Sequence, residues 1–212
     1  MFRQSPPGLR VGAATVGALM ILAACSGSSS SKPGTTTTRP AKPATVSATV
    51  GTVTVAAGGL PAKLADADRD AVLAAVGHYV EAATIAPLSG KPTKNLAAQF
   101  TASAAPALTG PEQDALLDTT VPRSTVVTTK LAPVNLTALS DQAGAIDLVG
   151  TTFDLTVSAK SKKGPITIHR SGEFMFTRDA GAWKVLGFTL AVTRDGAGLG
   201  TGPTSTTGSK AP

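Results

Sequence analysis

At 212 residues the chain has room for one modest domain plus tails, and not for two full domains. It carries 19 Lys and Arg against 13 Asp and Glu, a formal charge of +6, with 4% aromatic residues and a single cysteine. The excess charge lies outside the part that reads as foldable, because residues 60–196 hold 13 basic and 13 acidic side chains. That distribution argues against a basic face of the kind nucleic-acid proteins carry, so no nucleic-acid partner is expected.

The chain opens with Arg3 and Arg10, followed by a 14-residue uncharged run from Val11 to Ala24. The run is too short to span a bilayer, which needs about 20 apolar residues. It has the length of the apolar segment of a secretory signal, ~7–15 residues. It ends Leu22-Ala23-Ala24-Cys25, then Ser26-Gly27. This resembles the lipobox of bacterial lipoproteins. The resemblance implies a signal peptide over residues 1–24, cleavage before Cys25, and a diacylglycerol thioether on Cys25. The protein would then be held at the cell membrane, on the extracytoplasmic face, by its acyl chains. The cysteine count agrees, since a secreted domain with one cysteine has no internal disulfide and the lipid would consume its only thiol.

Residues 25–59 are rich in Ser, Thr and Pro and read as a tether, with a reach on the order of 30–35 Å. Within it, Thr45 to Ala56 alternates Val and Thr well enough to form a strand on a sheet edge. Residues 60–196 form the domain, and residues 197–212, rich in Gly, Thr and Ser, form a disordered tail.

In the domain, residues 66–85 show helical periodicity, with Val72, Leu73, Val76, Tyr79, Val80 and Ala83 on one face. Asp66 or Asp68 is placed to cap the helix and Pro87 to end it. A short helix from Lys94 to Thr101 is expected to bury Leu96 and Phe100. Another begins at Thr109-Gly110-Pro111-Glu112, which has capping-box spacing, and buries Leu116 and Leu117. Beyond Pro122 strands are predicted near 124–131, 134–140, 145–160, 165–178 and 182–193, joined by short turns as an antiparallel meander. Helices first and sheet afterwards make an α+β fold. Gly150, Gly172 and Gly187 fall inside the last three strands and predict a strongly curved sheet around the helices.

The stretch Gly172-Glu173-Phe174-Met175-Phe176, the turn Arg178-Asp179-Ala180-Gly181, then Trp183-Lys184-Val185 resembles the nuclear-transport-factor-2-like superfamily. The resemblance covers residues 64–194 and implies a cone of helices on a curved antiparallel sheet. A cystatin-like sheet on one helix is the structural alternative.

Chemistry-bearing residues are few. His78 and His169 are the only histidines, no ligand spacing links them, and neither a metal nor a cofactor is expected. The superfamily resemblance implies, for an isomerase- or dehydratase-type enzyme, His78 as base with Asp154 or Glu173 inside the cone. By alternation His169 and Glu173 point away from the apolar side of their strand. Lys160, Lys162 and Lys163 mark a hairpin tip, with Arg170 on the next strand, a basic cluster that could touch anionic headgroups. The closing strand looks apolar on both faces: Trp183 and Val185 on one, Leu186, Phe188, Leu190 and Val192 on the other. A second apolar face needs cover, whether an envelope protein, a second copy, residues 45–56, or an apolar or lipid ligand. The residues expected to line that pocket or interface are Tyr79, Phe100, Phe153, Phe174, Phe176, Trp183 and Phe188. The leading reading is therefore a lipid-anchored, non-catalytic binding domain of the cell envelope. The enzyme, or a purely structural envelope component, is the alternative.

Overall fold

The computed structural model describes residues 46–56, 58–60, 62–93 and 95–199. Cys25, the signal segment, most of the tether and residues 200–212 lie outside the described residues. The architecture is α+β, with one main helix on a six-stranded sheet.

Helix α1 (Asp66–Val80) passes without a break through a π-helical turn (Glu81–Ile85) into a last turn, α2 (Ala86–Leu88). Pro87 lies inside that last turn rather than ending the helix. A proline lacks the N–H that would serve the carbonyl four residues back. That carbonyl, Ala83 O, instead accepts from the Asp118 N–H at 2.9 Å. The stop comes at Gly90, with φ 69°, where Gly90 N–H meets Pro87 O and Lys91 N–H meets Ala86 O. These two bonds close a Schellman motif. Neither Asp66 nor Asp68 caps the start; the N-cap is Ala65, Asp66 pairs with Arg69, and Asp68 accepts from Trp183 Nε1.

The two shorter helices shrink to single turns. Ala97–Gln99 is a 3-10 turn flanked by buried Leu96 and Phe100, and α3 spans only Gln113–Leu116. The capping box does not form, because the Thr109 hydroxyl donates to Pro106 O and no side chain caps α3. Such short helices are held by their buried residues, not by propensity. Leu116 and Leu117 are buried accordingly.

The strands are β1 (Val50–Ala56), β2 (Ser124–Leu131), β3 (Val134–Ser140), β4 (Ile146–Ser161), β5 (Gly164–Asp179) and β6 (Ala182–Gly196). β3, β4, β5 and β6 follow one another antiparallel, and β1 adds to β3 in parallel at the margin. The meander fails at one place. β2 and β3 do not pair with each other; both pair with β4, β2 with Leu155–Ser161 and β3 with Ile146–Thr152. Ala132-Pro133 has neither the glycine nor the positive φ that a two-residue hairpin turn needs, and the two strands run in tandem along one edge of β4.

A second correction concerns β6. Met175 pairs with Gly187 and Phe176 with Val185, which leaves Leu186 as an extra residue in a bulge. A bulge shifts the alternation by one. Trp183 and Val185 before it, and Phe188, Leu190 and Val192 after it, therefore all turn to the core and are all buried. The second apolar face does not exist, and Leu186 is only half-buried. Gly172, with φ 151°, marks a close approach of β5 and β6: a Cβ there would lie 2.0 Å from Thr189 O. The inner face of the sheet packs on Val72, Val76, Tyr79 and Val80 of α1 to make one core.

Candidate functional site

The aromatic residues singled out from the sequence meet inside that core. The Phe153 and Phe174 rings stack at 5.1 Å, and Tyr79 stands edge-on to Phe174 at 4.7 Å. Phe176 meets Phe174 edge-on at 6.0 Å. Phe100 bridges to Val185, and the Trp183 indole donates to Asp68 at 3.1 Å beneath the Arg178 guanidinium. All seven, Phe188 included, are buried. Phe188 also borders a shallow depression with Ala104, Pro106 and Gly110. Tyr79, Phe153, Phe174 and Phe176 thus fill the space between helix and sheet with one another.

Beside them lies a charge cluster. Arg170, on the inner face of β5, is fully buried and donates to Thr84 Oγ1 at 2.6 Å and to Asp118 Oδ2 at 3.0 Å. Thr84, in the π-helical turn, donates to the same Asp118 oxygen at 2.7 Å. Arg194 of β6 donates through Nε to Asp118 Oδ1 at 2.9 Å and through a terminal nitrogen to Leu117 O at 3.1 Å. Two guanidiniums therefore share one fully buried carboxylate. Burial opposes the charge on Arg170, but Tyr79 and Asp118 outweigh it and hold its pKa above the ordinary value. Burial pushes the Tyr79 hydroxyl up to about 12 against the pull of Arg170, and that hydroxyl donates to Leu116 O at 2.8 Å. Among the described residues the Arg170 Nε has no partner.

Arg170 thus leaves the basic hairpin cluster expected from its place in the sequence and lies buried in the core. Lys160, Lys162 and Lys163 stay exposed. The signal was present: Arg170 has the same parity as Ile166, Ile168, Phe174 and Phe176. Asp118 and Thr84 carry no comparable mark, because their roles depend on residues 52 and 86 positions away.

The pairing of His78 with Asp154 or Glu173 does not form. Helix α1 packs on the inner face of the sheet, whereas Glu173 and the Asp154–His169 pair lie on the outer face. His169 Nε2 meets Asp154 Oδ2 at 3.0 Å, both side chains about half exposed. Nothing there excludes water from a proton transfer. Among the described residues, no group of three His, Cys, Asp or Glu side chains is placed to hold a metal.

His78 instead borders a groove of about 770 Å³. The helix supplies His78, Glu81, Ala82, Ile85 and Ala86; the following loop supplies Lys91, Pro92, Asn95, Ala98 and Gln99. Asn95 holds its place with φ 61°. Ala82, Ile85, Ala86, Pro92 and Ala98 give the groove an apolar lining, and five polar side chains are distributed along it. Its size falls within that of small-molecule sites, roughly 300–1,000 Å³.

No protein-family model matches the chain. No curated protein matches it either. Among solved structures, a type 2 hexachlorocyclohexane dehydrochlorinase superposes with a TM-score of 0.40 at 15% identity, over 65% of this chain and 95% of its own. A likeness of that size transfers neither a residue role nor an activity.

Proposed function

We propose that this chain is a lipid-anchored, extracytoplasmic binding domain without catalysis, built on a nuclear-transport-factor-2-like cone. Acylated Cys25 attaches it to the membrane, and its ligand occupies the groove between the Glu81–Ala86 segment and the Lys91–Gln99 loop. The observation that supports this reading is what fills the interior. The space between helix and sheet, where a cone enzyme would admit substrate, is occupied by the Tyr79–Phe153–Phe174 stack and the Arg170–Asp118–Arg194 cluster. The groove is open and largely apolar, with His78, Glu81 and Lys91 positioned to orient a polar end. A small apolar molecule or the acyl part of a lipid matches that character.

Mass spectrometry tests both halves. Protein purified from its own cells is expected to carry a thioether-linked diacylglycerol, lost in Cys25→Ser. Native mass spectrometry of the Cys25→Ser protein is expected to show a retained apolar ligand, displaced in Ala98→Trp, whose exposed position on the groove lets the indole fill it without entering the core. A Cys25 free of lipid refutes the anchor. A ligand-free Cys25→Ser protein that also fails to take up a fluorescent fatty acid refutes the groove.

A further inference from the structure

The strand from the tether has an unusual edge. Segment 46–48 first crosses helix α1 at Gly77, so closely that a Cβ on Gly77 would lie 2.5 Å from Val46 O. The chain then runs as β1 beside β3, pinned where Asn135 Oδ1 accepts from both Thr52 N–H and Thr52 Oγ1. Natural sheet margins are blunted with charge, proline or covering loops. The margin at β6 has such cover, since Thr101 N–H bonds to Val185 O and the strand carries Lys184, Arg194 and Asp195. β2 carries Lys130. β1, Val-Gly-Thr-Val-Thr-Val-Ala, has no charge and no proline, and Val50 and Val53 are 39% and 45% exposed. Its irregularity lies between Val50 and Val53, which leaves Val53–Ala56 regular.

We infer that β1 is an interface for a second copy of this chain, paired antiparallel across a two-fold axis at Thr54. Gly58 N–H bonds to Ser140 O. By strand alternation the even-numbered residues face β3, and Val53 and Val55 direct their N–H and C=O groups to the side on which, among the described residues, no other strand pairs. An axis at Thr54 places Val53 opposite the partner's Val55, and each such pair exchanges two backbone hydrogen bonds. Thr54 meets its own copy, Val meets Val, and no like charges oppose each other. Thr–Thr and β-branched cross-strand pairs are favourable, and a two-fold interface must be self-complementary in this way. The occupant that fits an uncharged Val-Thr-Val edge is therefore the same edge.

The geometry sets the test. Residues opposite each other at a non-hydrogen-bonded antiparallel site have Cα atoms about 4.5 Å apart, within disulfide reach of ~4.4–6.8 Å. In the full chain with Cys25→Ser, Thr54→Cys is expected to oxidise to a covalent dimer at least tenfold faster than Ala56→Cys, which would face Thr52. Adding Val53→Lys, checked by far-ultraviolet circular dichroism for an intact fold, is expected to reduce the Thr54→Cys rate to that of Ala56→Cys. Equal rates for the two cysteine variants overturn the inference. So does a faster Ala56→Cys, or a Val53→Lys that folds and leaves the rate unchanged.

Discussion

Replacing Asp118 by asparagine keeps the shape of the side chain and removes the only carboxylate between two guanidiniums. In the native protein Arg170 and Asp118 are fully buried and the Arg194 side chain is 10% exposed. Among the described residues the cluster therefore carries one uncompensated positive charge. Asp118→Asn raises that to two, and breaking a buried ion pair from one side costs about 3–5 kcal/mol. That is a large part of the ~5–15 kcal/mol by which domains are stable. Arg170→Met goes the other way: it removes the surplus cation and the unpartnered Nε, and leaves Asp118 held by Thr84 and Arg194. Its expected cost is less than half that of Asp118→Asn. Urea unfolding followed by the fluorescence of Trp183, the only tryptophan, measures both. An Asp118→Asn variant within about 1 kcal/mol of wild type, or an Arg170→Met variant that is the worse of the two, refutes the counter-ion role. The ordering matters for function as well. A cluster kept for stability gives this ranking, whereas charges held ready for a bound anion would let Arg170→Met cost ligand affinity.

Tyr79 is the only tyrosine, so tyrosinate absorbance titrates it alone, and the expected midpoint is about 12. The unfolded chain releases this proton near pH 10 and the folded one near 12. Between those values the folded state binds more protons, and stability falls by about 1.4 kcal/mol per pH unit. Tyr79→Phe removes that part of the alkaline slope, and a wild-type midpoint near 10 would show that the hydroxyl is not buried on Leu116 O. At the β5–β6 approach, Gly172→Ala is expected to cost about 3 kcal/mol or more, since its Cβ meets Thr189 O at 2.0 Å and φ is 151°. Gly150→Ala, with nothing nearer than 3.7 Å, is expected to stay within about 0.5 kcal/mol. Similar losses in the two, read from the same urea curves, would contradict the packing described for Gly172.

The strands were legible because period-two alternation survives wherever one face is buried. The predicted 134–140 and 182–193 match Val134–Ser140 and the body of Ala182–Gly196. Alternation misled where the backbone broke its own period. Leu186 and Gly187 add one residue to β6, so side chains of opposite parity share a face, and a bulge has no signature in apolar spacing. The inferred uncovered surface, and the binding argument resting on it, came from that one residue. Arg170 shows the converse error, in which residue type was allowed to outvote parity. Its position among Ile166, Ile168, Phe174 and Phe176 places it inward, whereas its charge alone argues for an outward place. An inward arginine requires a carboxylate somewhere, and the requirement could have been stated from the sequence even though the donor of that carboxylate could not. Of the acidic residues before β2, Asp118 follows Leu116-Leu117, the most apolar step of its segment, and is the one that a buried partner would keep out of water. The groove was less accessible still. His78, Glu81, Lys91 and Asn95 line one groove across a π-helical turn and a left-handed Asn95, and neither irregularity has a sequence period. Sites of this kind arise from departures from regular geometry, so a periodic reading of sequence recovers the scaffold first and the site last.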